Sequence, residues 1–163
     1  MGGQHNEKRA LERAAAEWFL QRYNELVHKV FRITILQERP DVVVEAADGT
    51  VIGIEVTHLY YDDLEAKMLL GRSVEEFHRP ENFTELLDQL DRLLKKKLEV
   101  GRKYPWDHPL FLIIRSVSPV FTGEDFAGIE KYVALPTGIY DEIWLLVRDE
   151  VNDEDWSDLI RLL

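Results

Sequence analysis

The sequence predicts an α/β fold, a mixed central sheet flanked by helices, and three observations carry the prediction. Two β-branched runs meet at Asp48-Gly49, which is a strong hairpin signal. Two later runs, Leu110–Ser116 and Glu142–Val147, are continuously apolar, as strands become when both faces of a sheet are covered. Helical periodicity fills the intervals before, between and after these strands. The expected order is α-β-β-β-α-β-α-β-α, without repeats, linkers or low-complexity segments. A chain of 163 residues with this content reads as one domain spanning 1–163.

Residues 6–31 form the first helix, with Leu11, Trp18, Phe19, Tyr23, Leu26, Val27 and Val30 along one broad side. Phe31–Leu36 follows as a strand. Asp41–Ala46 and Val51–Leu59 then make an antiparallel pair joined by Ala47-Asp48-Gly49-Thr50. A two-residue type I′ loop there sets Asp41 opposite Val56 and one step from Glu55. Residues 60–77 are helical in part, with Ser73 and Glu76 as a capping box and Pro80 beyond. A second capping box, Asn82 with Glu85, opens a strong helix from Phe83 to Tyr104 that Pro105 closes. A short helix runs from Thr122 to Tyr132 between the two apolar strands. Asn152–Asp155 caps a last amphipathic helix carrying Trp156, Leu159, Ile160 and Leu163.

Composition narrows the functional classes. A hydrophobic share of 45% belongs to a folded protein, and no apolar run approaches the ~20 residues of a membrane span. With no cysteine there is no disulfide framework, and Asn6 breaks the myristoylation pattern that Met1-Gly2-Gly3 begins. The expectation is a soluble cytoplasmic protein with no membrane partner. A net charge of −11 argues against a generic nucleic-acid binder, whose affinity comes from Lys and Arg neutralising phosphates. It leaves room for an acidic site filled by a divalent cation. Arg92, Lys95, Lys96, Lys97, Arg102 and Lys103 crowd into one stretch and form either a basic strip or a solvated helix face.

The hairpin brings Asp41 and Glu55 close together. Two neighbouring carboxylates repel unless a cation sits between them, and Mg²⁺ held by one or two carboxylates, waters and a substrate phosphate suits the pair. Strand alternation puts Glu55 and Thr57 on one face with Gly53, whose missing side chain leaves room for an ion or substrate.

Two charges also fall on apolar helix faces. Glu12 lies about 20° from Phe19 on the first helical wheel, whereas Glu17 points away. It is either a site residue or part of a frayed first turn, where the helix dipole favours acids. Lys97 lies about 40° from Phe83, beside Leu90 and Leu94, while Lys95 and Lys96 point elsewhere. It either meets a negative partner or snorkels along its stem. The five histidines lack metal-ligand spacing, and His58 reads as structural or peripheral. Asp62 and Asp63 read as a solvated loop, and Trp106, Trp144 and Trp156 as packing.

Pro40-Asp41 followed by Glu55-Val56-Thr57, with the hairpin between them, resembles the PD-(D/E)XK nuclease superfamily, the restriction-endonuclease-like fold. The leading αβββαβ order over residues 6–116 is similar to that family's core. The resemblance implies a metal-dependent nuclease acting on nucleic acid, DNA first, with Mg²⁺ or Mn²⁺ as cofactor. It implies Asp41, Glu55 and the Val56 carbonyl as metal ligands, with a first-helix glutamate, matched by Glu12, joining them. Thr57 stands where the family's lysine belongs. Some branches carry that lysine on the following helix, a role Lys97 matches, and Thr57 and Lys96 are assigned to substrate. Nucleases of this size often form homodimers to cut both strands. The departure at Thr57 and the acidic charge also suit a rival reading, a module of this fold that has lost catalysis and binds nucleic acid or a protein.

Overall fold

The computed structural model describes residues 2–59, 83–101, 106–116, 135, 138–148 and 156–163. Its elements are α1 (Gly2–Val27), β1 (Phe31–Leu36), β2 (Val42–Ala46), β3 (Val51–Leu59), α2 (Phe83–Gly101), β4 (Leu110–Ser116), β5 (Glu142–Arg148) and β6 (Trp156–Arg161). The six strands form one open sheet in sequential order. The β1–β2 and β2–β3 pairs are antiparallel, β3, β4 and β5 run parallel, and β6 returns antiparallel to β5. The protein is therefore α/β with a mixed sheet. The helices expected at 60–77 and 122–132 lie outside the described residues.

Each face of the sheet has its own core. On one side α1 presents Ala15, Ala16, Phe19, Leu20 and Tyr23 to Val44, Ile54, Phe111, Ile113 and Trp144. Phe19 stacks on Tyr23 at 5.0 Å and meets Trp144 edge-on at 5.8 Å, a geometry that aromatic quadrupoles favour. On the other side Leu90 and Leu94 of α2 pack on Leu112, Ile114, Ile143 and Leu145. The alternation along β3 and β4 divides their side chains between the two cores.

Several sequence expectations need correction. The first helix stops at Val27, where His28 turns left-handed at φ 54° and the Lys29 N–H donates to the Asn24 carbonyl at 3.2 Å. That bond is the six-residue closure of a Schellman end, so the chain leaves the helical wheel before Val30. Val30 is accordingly 61% exposed, and Leu26, in the last turn of α1, is equally exposed rather than buried. Asn24 then clamps the start of β1, exchanging side-chain bonds with the Phe31 N–H and carbonyl at 2.9 and 3.2 Å.

The hairpin loop has three residues, not two. The Ala46 N–H bonds to the Thr50 carbonyl and the Gly49 N–H to the Ala46 carbonyl, both at 3.0 Å. Only Gly49 takes positive φ, at 90°, as in a type I turn closed by a left-handed glycine. Asp48 favours this form because its carboxylate accepts from the Thr50 N–H and hydroxyl and pairs with Lys29. These partners hold the Asp48 carboxyl well below the usual range. The extra loop residue moves the register by one. Val42 pairs with Ile54, and continuing one step sets Asp41 level with Glu55 rather than Val56.

The last element is a strand, not a helix. Leu159 packs into the α1-side core while Ile160 and Leu162 join the α2-side core. A short run that is apolar on both faces fits a buried strand as well as a helix by periodicity alone. The open N–H and C=O groups along β5 decide it, because β6 supplies their partners.

Candidate active site

The carboxyl-terminal half of β3 carries Glu55 and Thr57 on the face opposite the Ile52, Ile54 and Val56 of the α1 core. Asp41 precedes β2, and its Oδ2 accepts the Val56 backbone N–H at 2.8 Å across the strand pair. Glu12 reaches the same place from α1, two turns before the Phe19–Tyr23 aromatic anchor. These carboxylates are 4% (Glu12), 8% (Asp41) and 6% (Glu55) exposed, whereas most acids lie at the surface. With Val56, Thr57 and Lys97 they line one cavity of about 260 Å³.

The wheel argument for α2 agrees with its packing. Lys97 is half-buried and lines the cavity, whereas Lys95 and Lys96 are exposed. Lys96, assigned to substrate from the sequence, is not among the residues of this cavity. Glu12 is no frayed-turn acid: the helix begins at Gly2, and Glu12 sits well inside it with Lys8 Nζ 3.6 Å from its Oε1.

Gly53 does not hold space for an ion. A Cβ there would stand 2.7 Å from the Trp106 ring and 2.8 Å from the Pro40 ring, so those two rings fill the gap. The Trp106 Nε1–H donates to the Pro109 carbonyl at 3.1 Å. Gly53 thus lets Trp106 and Pro40 close over β3 beside the site.

Electrostatics follow from this crowding. Burial, then the Glu55 charge, push Asp41 up to about 7, against the bond from Val56 and the pull of Lys97. Burial also raises Glu12, offset by Lys8 and reinforced by Glu55. His58, read from sequence as peripheral, lines the cavity. Burial, then Arg115, Lys97 and Lys8, push it down to about 4, so its imidazole is neutral at pH 7.

Reasoning from sequence also missed Lys8, Glu38 and Arg39, which line the same cavity. A second cavity of about 260 Å³ shares these three with Glu12 and Asp41 and adds Arg9 and Gln37. The signal was partly present, since Lys8 stands one helical turn before Glu12 and Arg39 directly precedes the Pro-Asp pair.

Among the described residues, no three His, Asp or Glu side chains are drawn together closely enough to cage an ion by themselves. The donor set still suits Mg²⁺, which is commonly held by one or two carboxylates and keeps several waters. Asp41 with Glu55 would meet that need: burial and the Glu55 charge raise the Asp41 carboxyl, and a cation between the two acids would relieve their repulsion.

The chain matches no family model, no curated protein and no solved structure.

Proposed function

We propose that this protein is a metal-dependent phosphodiesterase of the PD-(D/E)XK type, with a restriction-endonuclease-like core, acting on nucleic acid and first on DNA. One observation carries the reading. Three buried carboxylates and one inward lysine, from α1, the β2–β3 hairpin and α2, line a single cavity. The succession of one helix, three antiparallel strands, a second helix and a parallel β4 supports the fold assignment.

Asp41, Glu55 and the Val56 carbonyl would hold Mg²⁺, and Glu12 lines the same cavity. When bound, the ion supplies an acidified water and charge neutralisation at the phosphate. The Val56 N–H fixes the Asp41 carboxylate by its Oδ2. Lys97 orients the attacking water or neutralises charge gathering on the phosphate oxygens. Thr57, buried in the cavity wall where the family's lysine belongs, contacts a water or the substrate. Neutral His58 completes the wall.

Thr57 also favours a second reading, a module of this fold that binds nucleic acid or a protein without cutting. Calorimetric titration with Mn²⁺ or Mg²⁺, of wild type and of Asp41→Ala/Glu55→Ala, decides between them when DNA cleavage is followed in parallel. Metal binding and cleavage that both vanish in the double variant support the phosphodiesterase. Metal binding without cleavage of single-stranded or duplex DNA favours the inactive module, and no metal binding sinks the proposed site.

A further inference from the structure

Tyr140 lies just before β5 and is 4% exposed, packed in the core beneath α2. Its hydroxyl donates to the Lys97 backbone carbonyl at 3.2 Å, joining residues 43 apart in sequence. This bond reaches α2 at the residue that faces the cavity. Burial, then the charges of Glu55 and Asp41, raise the Tyr140 hydroxyl above the usual tyrosine range.

We infer that Tyr140 is a positioning residue: its O–H bond to the Lys97 carbonyl fixes the rotation and height of α2 that turn the Lys97 ammonium toward Asp41 and Glu55. The inference rests on the reading of Lys97 as a working residue of the site. Leu90 and Leu94 press α2 onto the sheet, but apolar contacts are non-directional and leave sliding and rotation weakly constrained. A hydrogen bond at the Lys97 turn adds a directional constraint.

Tyr140→Phe removes the hydroxyl and keeps the ring. The test labels lysine amines by reductive ¹³C-dimethylation, assigns Lys97 through Lys97→Arg, and follows its signal by NMR in wild type and Tyr140→Phe. Each protein is measured with and without Asp41→Asn. In wild type, Asp41→Asn changes the chemical shift of the labelled Lys97 amine at neutral pH, because both side chains line one cavity. In Tyr140→Phe that response falls to about half or less, since charge interactions weaken with distance, while the signal of exposed Lys96 is unchanged.

In cleavage assays Tyr140→Phe lowers kcat roughly tenfold or more, as small misplacements of a working group do. KM and Mn²⁺ affinity stay within about twofold. A Lys97 response identical in wild type and Tyr140→Phe overturns the inference, whatever happens to stability or activity. The NMR arm needs no cleavage, so it decides the role of Tyr140 even if the protein proves not to be a nuclease. Unaltered cleavage by Lys97→Ala would instead remove Lys97 from the reaction.

Discussion

At the scale of single residues, Asp41 carries the clearest consequence. Its carboxyl is pushed up to about 7 in the folded protein, from an ordinary value of 3.8. A raised folded pKa contributes stability that is fully present below the ordinary value and is lost as pH rises through about 7. Without divalent metal, this group's contribution to stability is therefore lost between about pH 4 and pH 7. Asp41→Asn keeps an oxygen to accept the Val56 N–H but sheds the charge. In EDTA at pH 8 this variant melts a few degrees above wild type by calorimetry, and at pH 4 the difference closes. Adding Mn²⁺ at pH 8 raises the wild type alone, because binding to the native state adds stability by mass action. Equal melting of the two proteins at pH 8 in EDTA would remove the crowded-carboxylate account. His58 behaves in the opposite sense. Lowered to about 4, it contributes stability present above its ordinary 6.5, which is lost as pH falls through about 4.

At the scale of elements, the β2–β3 hairpin shows what holds the site in register. Gly53→Ala drives a Cβ into the Trp106 and Pro40 rings, at 2.7 and 2.8 Å, and overpacking of this kind costs about 1–3 kcal/mol. Gly49→Ala meets no neighbour and is penalised only by its φ of 90°, about 1 kcal/mol. Urea unfolding separates the two. The first variant also loses metal affinity, because Pro40 adjoins Asp41, while the second keeps it. Comparable metal affinity in both variants would show that the Trp106–Pro40 closure does not support the site.

The same hairpin marks how far the sequence could be read. Its existence and the inward faces of Glu12 and Lys97 followed from turn chemistry and the helical period, both of which are local. The one-residue register difference depended on whether Asp48 would take positive φ. Its bonds to Thr50 and Lys29 settled that, and Lys29 comes from outside the hairpin. The strand character of Trp156–Arg161 depended on the open edge of β5, whose paired residues lie 8 to 17 positions away in sequence. Tyr140 gave no local signal at all, because its role lies in a bond to a helix 43 residues earlier.

At the scale of the whole molecule, charge decides how a nucleic acid could approach. A chain of net charge −11 repels a phosphate backbone in general, so binding must come from a local exception. The two adjoining cavities supply one, with Lys8 and Arg39 in both, Arg9 in one and Lys97 in the other. Glu12, Glu38, Asp41 and Glu55 stand among these cations and cancel much of their field. The cleft becomes attractive to phosphate only when a divalent ion neutralises the acids. DNA binding, followed by fluorescence anisotropy, is therefore expected in Ca²⁺ and lost in EDTA at the same ionic strength. Lys8→Ala/Arg39→Ala weakens the Ca²⁺-dependent binding for all sequences alike and lowers the salt slope by about one for each phosphate contact removed. Those two side chains neighbour Glu12 and Asp41 without being their only charge partners, so metal affinity in the absence of DNA changes far less than DNA affinity. Equal DNA binding in EDTA and in Ca²⁺ would place the nucleic-acid surface elsewhere and leave the cavity without a substrate.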